Sequence, residues 1–155
     1  MGTDKKAIKI VVTNKKAYHN YHIEETVEAG IVLLGTEVKS LRDGNVQMAD
    51  AYAFPRRGEM YLEKLHIAEY KHGNLQNHEP LRSRKLLLHR REMEKLMAKA
   101  EEKGYTILPL KIYFKGDYAK VELGLGRGKK LYDKRETLKA KAMERDMNRQ
   151  VRIKH

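Results

Sequence analysis

The clearest chemical signal in this sequence is the concentration of Lys and Arg in residues 127–155. Eleven basic residues stand against four acidic ones there, a net charge of +7, whereas the whole 155-residue chain carries +12. A basic terminal segment of this kind favours binding to a polyanion such as nucleic acid. Tyr132 lies among these charges, and an aromatic ring beside basic side chains can stack on a base.

The same segment predicts a helix with two different faces. At 100° per residue, basic side chains share one face and apolar side chains share the other. The basic set is Lys134, Lys141, Arg145, Arg149 and Arg152, and the apolar set is Ala140, Met143, Met147 and Val151. Like charges four residues apart oppose an isolated helix. We therefore expect a tail that is disordered when free and helical when phosphates neutralise its basic face.

Catalytic or metal-binding groups are not evident in the sequence. His19 and His22 are three residues apart on a predicted helix, but no third ligand follows at a matching spacing, so we interpret them as exposed histidines. A metal-dependent nuclease site built from Glu28, Glu37 and Asp43 stays open as an alternative, without positive support. We expect a protein that is not an enzyme and that uses no metal or cofactor.

Length and composition indicate one domain with appendages. A chain of 155 residues can enclose a proper core. The absence of Cys excludes disulfides and thiolate metal sites. No apolar run reaches membrane-spanning length, and residues 1–9 lack the apolar centre of a signal peptide. We expect a soluble, cytoplasmic protein without a membrane partner.

Short strands separated by turns must position these residues. In its first part the sequence predicts a strand at 8–12, a short helix from its cap Asn14 to His22, a strand at 23–34 and a short helix at 37–42 capped by Thr36. Short strands over 46–70 around a turn at 56–59 are predicted next, followed by a loop at 71–83. A long helix at 84–103 and a hairpin of 105–114 with 118–125 are predicted after that loop. Gly30 inside a strand predicts a bulge or bend. The alternating glycines at 124, 126 and 128 follow no βα turn, so we interpret them as a hinge.

The long helix is predicted to start after Ser83 and to end before Gly104. Its inner stripe is expected to consist of Leu86, Met93, Met97 and Ala100. Three successive leucines at 86–88 span about 200° of a helix, so at least one of them must be exposed.

Short strands joined mostly as hairpins favour a small closed barrel over a βαβ sheet. We predict a mainly β, α+β protein in which residues 1–126 form an antiparallel barrel of the oligonucleotide-binding type. The barrel has five or six strands, one long helix and two short helices, and residues 127–155 form the basic tail.

Six motifs, in this order and at these spacings, closely resemble the bacterial SsrA-binding protein (small protein B) family over residues 14–135. They are Asn14-Lys15-Lys16-Ala17, Glu28-Ala29-Gly30, Gly35-Thr36-Glu37-Val38-Lys39-Ser40-Leu41-Arg42, Arg84-Lys85-Leu86-Leu87-Leu88, Gly104-Tyr105-Thr106 and Gly128-Lys129-Lys130 followed by Asp133-Lys134-Arg135. The resemblance implies an RNA-binding protein of trans-translation whose barrel binds the tRNA-like domain of transfer-messenger RNA (SsrA RNA).

The resemblance also implies partners. It implies delivery of alanyl-charged transfer-messenger RNA, with elongation factor Tu and GTP, to 70S ribosomes stalled without a stop codon. There the tail would meet the 16S rRNA of the decoding centre and enter the empty messenger channel. We expect the protein to be a monomer.

Individual residues follow from the same resemblance and from the helical faces. The expected RNA-binding residues of the barrel are Glu28, Lys39, Arg42, Lys85, Leu87, His89 and Lys120. The expected ribosome-binding residues of the tail are Lys129, Lys130, Tyr132, Asp133, Lys134, Arg135, Lys141, Arg145 and Arg149. Some relatives have Asn in place of His89, and many have His in place of Tyr132. Tyr and His can both stack on a base, but Tyr cannot supply a protonated imidazole.

Two other functions stay open at this point. The first is a ribosomal or translation-factor barrel that binds rRNA and not transfer-messenger RNA. The combination of Glu28-Ala29-Gly30 with the motif at 129–135 argues against it, because a general rRNA-binding protein has no reason to share both. The second is an RNA-processing enzyme, for which the nuclease residues above would be the candidates.

Overall fold

A computed structural model of the chain describes residues 7–72, 77–102 and 104–128. The elements are β1 (Ile8–Thr13), α1 (Lys15–Asn20), β2 (Tyr21–Ile31), α2 (Gly35–Arg42), β3 (Val46–Gln47), β4 (Tyr52–Arg56), β5 (Glu59–Glu63), β6 (His66–Ile67), β7 (Arg84–Leu87), α3 (Arg90–Ala100), β8 (Tyr105–Lys115) and β9 (Tyr118–Gly128). None of the helices in these ranges has the length and apolar composition needed to cross a membrane.

The strand pairings close into a ring, which is the small antiparallel barrel that the sequence predicts. Neighbouring strands run in the order β8, β4, β5, β7, β2 and β9, and β9 pairs again with β8. Strand β1 is attached to β8 outside this ring, with Ile8 opposite Lys115 and Ile10 opposite Tyr113. Strands β3 and β6 form a separate two-stranded sheet. The mainly β class with three helices is therefore confirmed.

Asn14 caps α1 as predicted, and it also hydrogen-bonds to β8 of the barrel. Its side-chain oxygen accepts a hydrogen bond from the amide of Ala17 at 3.1 Å, and its side-chain nitrogen donates to the carbonyl of Pro109 at 2.9 Å. The helix ends at Asn20 and not at His22, because Tyr21 already has extended backbone angles and begins β2. His19 and His22 therefore do not share a helix.

Glycines in β9 leave room for side chains of β8 and of the start of β2 to pack closely against β9. A Cβ on Gly124 would lie 2.6 Å from Cδ1 of Leu110, and one on Gly126 would lie 3.1 Å from Cβ of Tyr21. Both glycines pair with β2 and β8 within the ring. The hinge interpretation is therefore wrong at these two positions, where the small residue is required by packing. Strand β9 also continues through Gly128, two residues beyond the predicted end of the barrel domain.

The prediction of a bulge at Gly30 is wrong, because the irregularity in β2 lies at another position. Gly30 keeps regular register with both Lys120 and Leu87, whereas the irregularity in β2 falls between Ile23 and Glu25. A side chain at position 30 would meet Cβ of Leu87 at 3.4 Å. Gly30 is therefore a regular member of β2 and not a break in the strand.

The predicted long helix is wrong over its first turns. Residues 84–87 form β7, in which Arg84 and Leu86 point into the protein while Lys85 and Leu87 point outward. This alternation has the period of a strand, and pairing with β5 and β2 is what completes the ring. Leu87 is exposed as expected, but because of strand alternation.

In the remaining helix α3, Met93, Met97 and Ala100 of the predicted inner stripe are confirmed, whereas Leu86 lies in β7 and Leu96 was not predicted. The buried residue of α3 is Leu96, while Met93, Met97 and Ala100 pack partly buried against the core. The helix follows His89, which occupies its N-cap position, so Ser83 is not the cap. Thr36 is likewise not the cap of α2, because Leu34 holds that position and the carboxylate of Glu37 accepts from the Leu34 amide at 2.7 Å.

Candidate nucleic-acid interface

One outer surface of the barrel collects residues that are far apart in the sequence. Residues directly opposite on neighbouring strands share a face of the sheet. The register places Gly30 between Leu87 of β7 and Lys120 of β9. Lys120 is in turn opposite Tyr113 of β8. We define the outer barrel face by the outward side chains of these strands: Glu28, Lys85, Leu87, Tyr113, Lys115 and Lys120.

Glu28 is the acceptor at the centre of this face. The hydroxyl of Tyr113 donates a hydrogen bond to its carboxylate, and Nζ of Lys115 lies 3.4 Å from the other carboxylate oxygen. The Tyr113 hydrogen bond, followed by the charges of Lys115 and Lys120, holds the pKa of Glu28 below its ordinary value of 4.5, although burial acts in the opposite direction. The carboxylate is therefore ionised at neutral pH and fixed in orientation.

Tyr113 is the buried residue whose hydroxyl group holds the Glu28 carboxylate in position. Its side chain is 8% exposed, and burial, followed by the hydrogen bond to Glu28, raises the pKa of Tyr113 above its ordinary value of 10. The phenol therefore keeps its proton and remains a donor. An ionised acceptor with a neutral donor beneath it can accept hydrogen bonds from amino or hydroxyl groups that approach from outside.

Apolar and basic groups flank the acceptor. Leu87 is 52% exposed, and its side chain lies beside Gly30, with Cδ1 3.6 Å from the position of a Cβ added there. Lys85 lies two residues before Leu87 on the same face, with its Nζ 3.3 Å from a carboxylate oxygen of Glu59. The combination offers an apolar contact, a hydrogen-bond acceptor and several cations within four neighbouring strands.

The remaining predicted residues lie on helices. On α2, Nζ of Lys39 is 5.7 Å from the ring centre of Tyr70, and the guanidinium of Arg42 is 4.2 Å from the ring centre of Phe114. His89 is exposed at the start of α3, two residues after Leu87. Glu28, Lys85, Leu87 and Lys120 thus share one face, while Lys39 and Arg42 belong to a different element. The predicted tail residues, Lys129, Lys130, Tyr132, Asp133, Lys134, Arg135, Lys141, Arg145 and Arg149, lie outside the described residues.

The sequence reasoning missed Tyr113 and Lys115. Both follow Lys111 at intervals of two, which places all three on the outward face of a strand. Lys111 is 3.7 Å from a carboxylate oxygen of Glu122 on β9. The alternation of basic and aromatic residues along the predicted strand was the signal that could have identified them.

The nuclease alternative is not supported by the geometry. Glu37 is buried, with Arg82 at 2.7 Å from one carboxylate oxygen and Arg84 at 2.7 Å from the other. Glu28 is occupied by Tyr113 and Lys115, as described above. In the ranges that the structure describes, no group of three His, Asp or Glu side chains is arranged to hold a metal ion.

The ion pairs of Glu37 with Arg82 and Arg84 instead join α2 to β7 and to the segment before it. Arg84 is 0% exposed and donates to the carbonyls of Leu65 at 2.7 Å and Pro80 at 3.1 Å. Burial raises the pKa of Glu37, but the bonds from Arg82, the Leu34 amide and Arg84 outweigh it, so the pKa lies below 4.5. Burial lowers the pKa of Arg84, against the attraction of Glu37.

A small antiparallel barrel with a basic, partly apolar outer face is the architecture of oligonucleotide-binding domains. The SmpB family model matches residues 11–153. SsrA-binding proteins of Dehalococcoides mccartyi and Oceanobacillus iheyensis are 55% and 57% identical over 145 residues, which cover 94% and 93% of this chain and 84% and 94% of those proteins. The chain belongs to the SmpB family.

Two further comparisons agree. The SsrA-binding protein of Geobacter sulfurreducens is 56% identical over 146 residues, which cover 94% of this chain and 95% of that protein. A solved structure described as "tmRNA-SmpB: a journey to the center of the bacterial ribosome" contains a chain that is 54% identical with a TM-score of 0.67. The match covers 79% of this chain and 85% of that chain.

Proposed function

We propose that this protein binds the tRNA-like domain of transfer-messenger RNA through the outer barrel face and brings that RNA to stalled ribosomes for trans-translation. The observation that carries the proposal is that one face unites Glu28, Leu87 and Lys120, which the family resemblance named from separate parts of the sequence. Membership of the SmpB family supports the choice of RNA.

The chemistry of the face suits a folded RNA. The ionised Glu28 carboxylate accepts from a 2′-hydroxyl or a base amino group, and Leu87 contacts the apolar edge of a ribose or base. Lys85, Lys115 and Lys120 lie near phosphates and provide affinity that depends on salt. Lys39 and Arg42 on α2 and His89 before α3 extend the contact beyond the barrel strands.

On the ribosome, the basic tail over residues 129–155 occupies the decoding centre and the empty messenger channel. Lys129, Lys130 and Tyr132 meet the 16S rRNA, and the basic residues further along form the helical face that contacts phosphates. Elongation factor Tu with GTP joins through the charged RNA. The protein acts in the cytoplasm as a monomer, and it binds RNA without catalysing a reaction.

The experiment that tests this function is identification of the RNA that co-purifies with the tagged full-length protein. We expect transfer-messenger RNA to be enriched over ribosomal RNA. Enrichment of 16S or 23S rRNA in its place would support the ribosomal-protein alternative.

Binding of the isolated tRNA-like RNA tests the face itself. Lys120→Glu and the control Lys95→Glu change the charge equally, but Lys95 lies on α3 and pairs with Glu25 at 3.4 Å. We expect Lys120→Glu to weaken binding about tenfold more than the control, because it removes a contact in addition to long-range attraction. Equal losses would show that the face is not the binding site.

A further inference from the structure

The β4–β5 hairpin carries outward aromatic and Arg side chains that are not among the residues of the outer barrel face. Phe54 is 55% exposed, and the ring of Tyr52 packs against it edge to face with 6.5 Å between the ring centres. The guanidinium of Arg56 lies 4.4 Å from the ring centre of Tyr61. We call Tyr52, Phe54, Arg56 and Tyr61 the hairpin cluster.

The hairpin cluster is continuous with the outer barrel face. Phe54 is opposite Tyr61, and Tyr61 is opposite Lys85, so these three residues form one row across β4, β5 and β7. Neighbouring strands are about 4.8 Å apart, which places Phe54 about 10 Å from Lys85. An RNA that contacts Lys85 therefore reaches Phe54 within about the span of two nucleotides.

Hydrogen bonds fix the surroundings of the Phe54 ring. Arg56 donates to the hydroxyl oxygen of Ser83 at 3.0 Å and to Glu63 at 3.4 Å, and the Ser83 hydroxyl donates to Glu63 at 2.7 Å. These contacts join β4 to β5 and to the residue before β7. A fixed surface loses little conformational entropy when a ligand binds.

A single exposed apolar side chain is common on protein surfaces and by itself indicates nothing. Phe54 differs because basic residues lie on the same outward face, Arg56 two residues further along β4 and Lys85 in the same row on β7. The acids on this part of the surface are paired with these basic residues. Glu63 is bound by Arg56 and Glu59 by Lys85. An exposed ring among cations is the combination that binds unpaired bases, which stack on the ring while their phosphates meet the cations.

We propose that Phe54 is a stacking surface for one unpaired base of the RNA that this protein binds. The base lies flat on the Phe54 ring, and Lys85 attracts an adjoining phosphate. The proposal rests on the RNA-binding function proposed above and extends that interface across the barrel from β7 to β4.

The absence of Trp from the sequence allows a direct test. In the full chain, Phe54→Trp introduces a single Trp, which can be excited selectively over the nine Tyr. It should retain RNA affinity and lose emission when the tRNA-like domain of transfer-messenger RNA is added, because a stacked base quenches indole. The control is Tyr18→Trp, since Tyr18 is 41% exposed on α1. Its emission should change little. Equal quenching at both positions, or none at Phe54→Trp, would overturn the proposal.

Affinity gives a second readout. Phe54→Ala should weaken binding of the same RNA by about 5- to 160-fold, the range of one lost base stack, without changing the salt dependence because no charge is removed. Phe54→Tyr should restore binding, and Leu81→Ala, at a residue that is also 55% exposed, should have no effect. Unchanged affinity of Phe54→Ala beside normal binding by the parent chain would overturn this proposal alone. Failure of the parent chain to bind would overturn both proposals.

Discussion

The hydrogen bond from Tyr113 to Glu28 determines how the outer barrel face presents its acceptor. It is the largest of the effects that lower the pKa of Glu28. Glu28 therefore stabilises the fold above the unfolded-state pKa, and that contribution is lost as the pH falls through the lower folded-state value. The same ionised form is the one that accepts hydrogen bonds from RNA.

We predict that Tyr113→Phe makes RNA binding more sensitive to acid. Without the phenol donor, the pKa of Glu28 rises towards 4.5. The affinity of the variant should then decline at a higher pH than that of the parent chain as the pH is lowered from 7 to 4. Titration of the Glu28 carboxyl by NMR, together with RNA affinity across this range, measures both effects. Identical pH profiles would exclude a positioning role for Tyr113.

A second residue-level prediction concerns the buried pair of Glu37 and Arg84. Arg84→Met should destabilise the fold by about 3–5 kcal/mol, because it leaves a buried carboxylate with only Arg82 as a cationic partner. The comparison is Lys16→Met, which removes an exposed pair at 3.8 Å from Asp50 and should have little effect. Urea unfolding at pH 7 measures both variants. Similar losses for the two would show that burial of the ion pair is unimportant.

At the scale of elements, the parts of the fold that local chemistry determines were predictable. Asn14 was recognised as a cap because an Asn side chain can accept from the first turn of a helix. Glycines at 44, 58 and 116 have positive φ at the predicted turns. Such features depend on a few neighbouring residues, so the sequence is enough to find them.

Residues 84–88 were misread because their structure depends on distant partners. A run of Arg, Lys and Leu favours a helix by intrinsic propensity, but pairing with β5 and β2 selects a strand. The same limit applied to the candidate site. The family resemblance named Glu28, Leu87 and Lys120 one at a time. The sequence alternation could place Tyr113 on an outward strand face, but its hydrogen bond to Glu28 depends on the pairing of β8 with β9 and of β9 with β2.

Packing around β9 gives a prediction at the element scale. Gly124→Ala should destabilise the protein by about 1–3 kcal/mol, since the new methyl group would meet the fully buried Leu110 and Cγ2 of Ile23. Gly128→Ala is the matched control in the same strand, because nothing lies within 4 Å of its added Cβ. Thermal unfolding of both variants tests this. A neutral Gly124→Ala would mean that the side chains of Leu110 and Ile23 can move away from β9 at no cost.

At the scale of the whole molecule, we expect the barrel to bind the tRNA-like RNA and the tail to act on the ribosome. Removal of residues 129–155 should leave affinity for the tRNA-like RNA within about threefold at constant salt, because the specific contacts belong to the outer barrel face. The slope of log affinity against log salt should become shallower if the tail makes non-specific phosphate contacts. Loss of RNA binding on truncation would show that the tail is part of the primary site.

The tail itself should act by folding on the ribosome. Met143 lies on the apolar face opposite the basic residues, near the middle of the predicted helix. About 20 helical residues would span about 30 Å, enough to fill a segment of the empty messenger channel. Met143→Pro interrupts this helix at a cost of about 3 kcal/mol and leaves every charge in place.

We therefore expect Met143→Pro to bind the tRNA-like RNA normally and to stop peptide transfer to transfer-messenger RNA on stalled ribosomes. The controls are Met143→Leu, which keeps the helix, and His155→Pro, which places proline at the last residue. Both should transfer peptide at the parent rate. The measurement is single-turnover transfer with purified stalled ribosomes. A Met143→Pro protein with the parent rate would rule out helix formation as the step that replaces the missing messenger. Loss of RNA binding by Met143→Pro would instead contradict the separation of tail from barrel.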